Sequence, residues 1–394
     1  MTDRLMVLSA SAISCLKACP TQYRYKYHMG IRRAEEAEPL RMGNSWHMGQ
    51  ELMYLKPGDP CPQCPGRECP VCLGTGVIDD PLDAMARALS HRYANLWPGL
   101  AKETKEIERA MILYALFAYK YHYDEQPVDT ITAELPFRIP LIDPRTRKAV
   151  PNVVIDGIID KLVSVSGDPP EVMEHKSTSN DLDPSSDYWG HLRLDTQTYI
   201  YAYAAQRLQA DGLLEPFGIK ADDTAIGSIL YDVWKKPGIR PKKLSQGETA
   251  KLLEHDSYYD REFECKWNEQ SGEFSVDGDS VQVERLKSGA PVIRETADMY
   301  GCRLFNEINE NPTRYFARRS ITRTSLDIER FEWELYNIYR TVAAHIEDNA
   351  WFHNERECNS YGKCDYCQFC FTGQEIDPEK PPTGFVNIFE KGNR

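Results

Sequence analysis

Nowhere in the 394-residue chain is there a run of about 18 or more uncharged apolar residues, which excludes a long apolar span of the membrane-helix kind. The opening stretch, MTDRLMVLSASAISCLKACP, lacks the basic, apolar and small-residue order of an export signal. The expectation is therefore a soluble, cytoplasmic chain with no membrane partner. No phosphate loop of the form Gly-x-x-x-x-Gly-Lys-Ser/Thr occurs, which excludes an ATP-driven motor of that type. Internal repeats and low-complexity tails are absent too. Positive charge is in deficit: Lys and Arg number 47 against 60 Asp and Glu, a formal charge of -13. That balance disfavours indiscriminate whole-surface binding to a polyanion. Local basic stretches such as KKPGIRPKK and RYFARRSITR remain available to line a groove.

What is present describes a folded globular protein, with 41% apolar and 11% aromatic residues and ample length for a large core. Residues 1–129 read as a helical region, with LRMGNSWHMGQELMY as an amphipathic helix and helix-like apolar spacing again from about 81 to 124. Into this region is inserted a Pro-, Gly- and Cys-rich loop at 57–80. Residues 130–235 form the core. TITAELPFRIPL, NVVIDGIIDKLVSV and PEVMEHKSTS read as strands joined by the turns DPRTRKAVP and SGDPP, an antiparallel meander. LRLDTQTYIYAYAAQRLQA then reads as a helix and TAIGSILYDVWKK as a further strand. Residues 236–300 read as a polar insertion, and 301–394 as a helical region with a cysteine cluster. These elements give an α/β fold.

Glu174 and Lys176, two apart in EVMEHKSTSN, point to one side of an extended strand, while Met173 and His175 point to the other. Taken alone, such a pair reads as an exposed ion pair. The preceding strand, however, carries Asp160, and a short turn brings the three side chains together. Two converging carboxylates without neutralising arginines make a hard-oxygen site suited to Mg²⁺ or Mn²⁺. A lysine beside that cation positions water or stabilises charge on a phosphate oxygen, the equipment of metal-assisted phosphodiester hydrolysis.

Eight of the twelve cysteines fall in two clusters, and the others are Cys15, Cys19, Cys265 and Cys302. Such clustering points to metal ligation rather than disulfides. In CPQCPGRECPVC, Cys61, Cys64, Cys69 and Cys72 form two Cys-x-x-Cys knuckles four residues apart, a structural Zn²⁺ spacing with no ligand position left for catalysis. Its second half, CPVCLGTG, resembles over eight residues the repeat of the DnaJ zinc-binding region. In CNSYGKCDYCQFC, Cys358, Cys364, Cys367 and Cys370 suit one tetrahedral ion or an iron-sulfur centre.

Taken in order, GNSWH, Asp160, EHK and QTYIY resemble the motifs of the PD-(D/E)XK nuclease superfamily. The likeness is to its RecB-like branch with an iron-sulfur clasp, including phage-type exonucleases, AddB nuclease domains and CRISPR adaptation nucleases. The resemblance implies a restriction-endonuclease-like core, a mixed central sheet flanked by helices. It further implies Asp160, Glu174 and His47 as metal ligands, Lys176 as the catalytic lysine, and Gln197 with Tyr201 bordering the site and touching DNA. Asp156 competes for the first acid, but the family's Gly-x-x-Asp arrangement, here Gly157 to Asp160, favours Asp160. The branch's clasp joins one N-terminal cysteine to three C-terminal ones. By that resemblance Cys19, Cys358, Cys364 and Cys370 hold a [4Fe-4S] cluster, with Cys367 as the rival for one position.

The implied activity is a Mg²⁺- or Mn²⁺-dependent deoxyribonuclease, an exonuclease on single-stranded or end-frayed DNA in recombination, repair or replication. Unwinding would come from a helicase or recombination partner. A non-catalytic DNA-binding scaffold, or a defence or flap endonuclease, are the alternatives. QYRYKYH, WKKPGIRPKK and RYFARRSITR are the candidate nucleic-acid contacts.

Overall fold

A computed structural model describes residues 5–389, apart from 65, 67, 127, 268–272 and 361. Six strands make its central sheet: β1 (Met6–Leu8), β2 (Asp129–Ile142), β3 (Ala149–Ser164), β4 (Glu171–Thr178), β5 (Ser228–Lys235) and β6 (Phe316–Thr322). β2, β3 and β4 form the antiparallel meander that their turn chemistry predicts. β5 joins β4 in parallel, and β6 closes the far edge antiparallel to β5. β1 pairs in parallel with Val153–Ile155 near the start of β3, whereas β4 pairs with Lys161–Val163 near its end. The sheet is therefore mixed.

Strict alternation breaks down along the middle strands because both faces are covered. From Ile229 to Trp234 every residue of β5 is buried. One face packs on α1 (Ala10–Ala18) and on a later helix through Ile200, Ala204, Ile229, Tyr231 and Val233. The other face receives α2 (Glu38–Met53), α3 (Pro81–Ala94) and α4 (Lys102–Tyr123), with Trp46 of α2 stacked on Trp234 at 4.2 Å between ring centroids. Burying one large apolar side chain this way contributes about 1.5–3 kcal/mol. The helical pattern over 81–124 resolves into two helices, because Pro98 and Gly99 interrupt the segment between α3 and α4.

After β4 come α5 (Asp187–Leu192) and α6 (Thr196–Ala210), the latter capped by Asp195, whose carboxylate accepts from the Gln197 N–H at 3.0 Å. α7 (Ala297–Glu310) packs along α4, and α8 (Ser325–Glu347) starts from a Thr324–Asp327 capping box. Between β5 and α7 the chain packs a small core of its own, with Leu252, Phe263, Phe274 and Ile293, around a three-stranded antiparallel sheet. The two ends of the described chain meet. Phe385–Asn387 pairs with Ile31–Arg33, the Tyr366 hydroxyl donates to Ile31 O at 2.6 Å, and the Asn354 amide donates to Ala18 O at 2.8 Å. α9 (Cys367–Thr372) lies in this closure. Among the described residues no helix is long and apolar enough to cross a membrane.

Candidate active site

The site forms where β3 and β4 part. Their backbone pairing extends from Val163–Glu171 to Lys161–Met173. One step further, the His175 N–H donates to the Asp160 carboxylate at 3.0 Å. The gap thus opened holds the Asp160 and Glu174 side chains, only 7% and 1% exposed. α2 fills its rim: His47 Nδ1 stands 3.4 Å from Asp160 Oδ2, with 35% of the imidazole still exposed.

Lys176 is held by three partners. Its ammonium lies 2.8 Å from Glu174 Oε1 and 3.2 Å from Asp195 Oδ2, and it donates to Gln197 Oε1 at 2.6 Å. Gln197 Nε2 in turn donates to the Tyr201 hydroxyl at 3.0 Å, the contact that a spacing of four on one helix makes possible. Asp160, Glu174, Lys176, His47, Gln197 and Tyr201 therefore converge. Asp156 does not: it pairs with Arg138 at 2.5 Å on the surface.

Sequence reasoning missed several groups. Asp195 is one, a helix cap that also touches Lys176. The largest is a buried network beneath the site. Asp232 Oδ2 lies 2.7 Å from His175 Nδ1 and accepts from the Tyr119 hydroxyl at 2.6 Å, while Arg318 Nε donates to Asp232 Oδ1 at 3.1 Å. Burial and the neighbouring Lys161 push His175 down to about 3, so the ring is neutral and its Nδ1–H donates to Asp232. Arg318 reaches on to Tyr119 and Tyr54 and lies 3.7 Å over the Tyr123 ring. His175 thus anchors the strand between Glu174 and Lys176 while its own amide holds Asp160. Glu134 is a further missed carboxyl, at φ 48° between the Ala133–Lys161 and Leu135–Ile159 pairs. Burial and Glu51 push it up to about 7. Single-residue spacing gives no signal for such a kink.

The basic stretches divide. In WKKPGIRPKK, Lys235 pairs with Asp181, Lys242 with Glu248 and Lys243 with Glu284. In QYRYKYH, Tyr25 is buried and stacks on Tyr366 at 5.4 Å. In RYFARRSITR, Arg318 belongs to the buried network, whereas Arg319 is exposed.

Cys61, Cys69 and Cys72 bring their sulfurs within 4.8 Å of one another, and Cys64 lies 3.6 Å from Cys72. A Zn–S bond of about 2.3 Å places tetrahedral sulfurs about 3.8 Å apart, so Cys61, Cys69 and Cys72 could hold one metal ion, with Cys64 beside Cys72 as the remaining thiol of the loop. Burial opposes it, yet the Gly76 and Gly74 amides and the neighbouring thiols draw Cys72 down to about 7. At the chain closure, Cys370 is pushed up to about 11 by burial and by Cys364, Cys19, Cys358 and Cys367. Cys15, one turn before Cys19, is raised to about 12 by burial and also adjoins Cys19 and Cys364. Tertiary structure therefore brings N- and C-terminal thiols together.

The chemistry of the central donor set fits a divalent cation. Among the described residues Glu174 Oε2 has no hydrogen-bond partner, although it is buried. Burial and Asp160 push Glu174 up to about 8, and burial pushes Asp160 up to about 6, against the lowering effect of the His175 amide. Burial lowers His47, which favours the neutral ring with one nitrogen lone pair to offer a cation. Burial opposes the Lys176 charge, yet Glu174, once ionised, and Asp195 raise Lys176 and stabilise that charge. In the metal-free protein Glu174 holds its proton up to about 8, whereas its ordinary value is 4.5. The folded state then binds more protons than the unfolded chain between those limits, so stability falls as pH rises through the window. The thermal midpoint of protein freed of Mg²⁺ and Mn²⁺ is expected to drop across that range. Added Mn²⁺ should restore most at its upper end, and its binding should release a proton lower in the window, where Glu174 is protonated. A pH-independent Mn²⁺ effect would contradict this arrangement.

A family model described as the PD-(D/E)XK nuclease superfamily matches residues 7–370, a span that includes every residue of the central site. No curated protein matches the chain.

Proposed function

The chain belongs to the PD-(D/E)XK nuclease superfamily, and from that premise we propose that it is a Mg²⁺- or Mn²⁺-dependent DNA exonuclease of the RecB-like kind. The observation that carries the reading is the gap between β3 and β4, where two buried carboxylates, one with an unpartnered oxygen, meet His47 and Lys176. A degenerate scaffold would have no need to keep two buried acids side by side with one lysine between them and one carboxylate oxygen unpartnered. Asp160, Glu174 and His47 are the residues to hold the cation, which when bound polarises the phosphate and acidifies water. Lys176, kept protonated by Glu174 and Asp195, donates to the phosphate oxygen on which charge develops. Gln197 aims the ammonium, and Tyr201 fixes the amide by accepting from its Nε2. Working from a DNA end is supported by the closure of the two chain ends beside the nuclease core. The test is release of nucleotides from end-labelled single- and double-stranded DNA with Mg²⁺ or Mn²⁺. Mononucleotide products support the exonuclease. Internal fragments favour a flap or defence endonuclease, and binding without cleavage leaves a scaffold.

In the same reading Cys61, Cys64, Cys69 and Cys72 hold Zn²⁺, and Cys19, Cys358, Cys364 and Cys370 hold a [4Fe-4S] cluster, with Cys367 the alternative ligand. Among the described residues no three of the thiols at the chain closure lie within 4.8 Å of one another. That spread is wider than a single tetrahedral ion draws its ligands. Anaerobically purified protein is expected to contain iron and acid-labile sulfide in equal amounts beside one zinc, and Cys364→Ser to lose the iron while keeping the zinc. A second zinc in place of iron would overturn the cluster.

A further inference from the structure

The geometry points to the groove between α5 and β6 as the seat of single-stranded DNA continuing past the active site, an inference that rests on the DNA-nuclease reading above. The groove encloses about 710 Å³ and is lined by Trp189, Arg193, Leu194, Tyr199, Arg319 and Arg323, among others. Sheet register ties it to the catalytic row. Glu174 pairs with Tyr231 across β4 and β5, and Tyr231 pairs with Arg319 across β5 and β6. Residues opposite one another share a face and neighbouring strands lie about 4.8 Å apart, so the Arg319 backbone stands about 10 Å from that of Glu174 on the catalytic face. A strand whose phosphate sits at Glu174 and Lys176 has Arg319 within a few nucleotides.

The chain between the two places is continuous. Asp195 and Gln197 touch Lys176, while Arg193 and Leu194, immediately before them, line the groove. Leu194 is 79% exposed at this crossing. Tyr188 packs edge-on against Trp189 at 5.5 Å, and Arg319 lies over the Trp189 ring at 5.4 Å. The indole is itself fixed by donating to Asp183 O at 3.1 Å, so the guanidinium rests on a rigid plate.

Charge selects the occupant. On a chain of net charge -13, this groove presents two exposed arginines, Arg193 and Arg319. Arg323 serves as floor, donating to Arg193 O at 2.6 Å and Leu192 O at 2.8 Å. The lining acid, Asp327, is committed to capping α8 through Thr324. Arginines interleaved with the exposed Leu194 and the half-buried Ile321 supply phosphate contacts and apolar surface against which unpaired bases can pack, while the Tyr199 ring is held between Phe331 and Arg323 and shapes the wall.

The experiment uses the full chain in Ca²⁺, with fluorescein-labelled oligo-dT and a duplex of equal length, followed by anisotropy across a salt series. Arg193→Ala with Arg319→Ala is expected to weaken oligo-dT binding at least about tenfold and to reduce the slope of log K against log salt by about 0.7 per arginine. Arg319→Lys should recover the slope, and Arg340→Ala, an exposed arginine on α8, should leave binding unchanged. Unchanged affinity and slope in the double variant, an equal loss in Arg340→Ala, or tighter binding of duplex than of oligo-dT would overturn the groove. The two readings fail separately. A parent protein that binds oligo-dT through these arginines but never cleaves in Mn²⁺ removes the nuclease, whereas one that cleaves with the double variant binding normally removes only the groove.

Discussion

Lys176→Ala is expected to lower DNA cleavage by about 10²–10⁴-fold while leaving the protein folded. Among the described residues the ammonium is the one cationic side chain paired with Glu174, and Gln197 and Asp195 fix its direction. On the role proposed for it, its loss removes the donor for a developing phosphate charge but leaves both carboxylates in place. Mn²⁺ should therefore still bind, with a higher affinity than in the parent if Lys176 competes with the cation for Glu174. Single-turnover rates with saturating Mn²⁺ separate the two effects: a slow chemical step with intact metal binding supports the role given to Lys176. Wild-type rates in the variant would remove Lys176 from the chemistry.

The second large effect concerns stability. Asp232→Ala strips the carboxylate that receives Tyr119, His175 and Arg318, all inside the protein. Arg318, whose side chain is 13% exposed, then keeps a buried charge without its acid. Breaking one side of a buried pair costs about 3–5 kcal/mol. By contrast Asp156→Ala, which breaks the exposed pair with Arg138, should cost about 1 kcal/mol or less. Denaturant titration of the two variants beside the parent measures the difference. Cleavage by folded Asp232→Ala should also fall, because a loosened His175 no longer holds Asp160 through its amide. Equal stabilities for the two variants would show that the network beneath the site carries no structural weight.

Much of the site was legible because its signals are local. Alternation places Glu174 and Lys176 on one side of β4, and a helical repeat places Gln197 beside Tyr201. The short SGDPP turn returns the chain so that Asp160 faces them. The clustering of Cys61, Cys69 and Cys72 was equally plain, since the Cys-x-x-Cys spacings keep these thiols within a dozen residues of one another.

Other features had no local signature. Asp195 reads only as a helix cap until packing sets it beside Lys176. Asp232 and Arg318 sit on strands that reach His175 only through the order of the sheet, so no spacing in the chain connects them. For the same reason RYFARRSITR, one basic stretch by composition, divides into a buried structural arginine and an exposed neighbour on the catalytic face. Sequence by itself determined the reactive residue types, their faces and the meander, because side-chain period and turn chemistry act over a few residues. Only the tertiary structure decided where β3 and β4 part, which acids stay buried together and which arginines meet water. Those outcomes depend on packing between segments far apart in the chain.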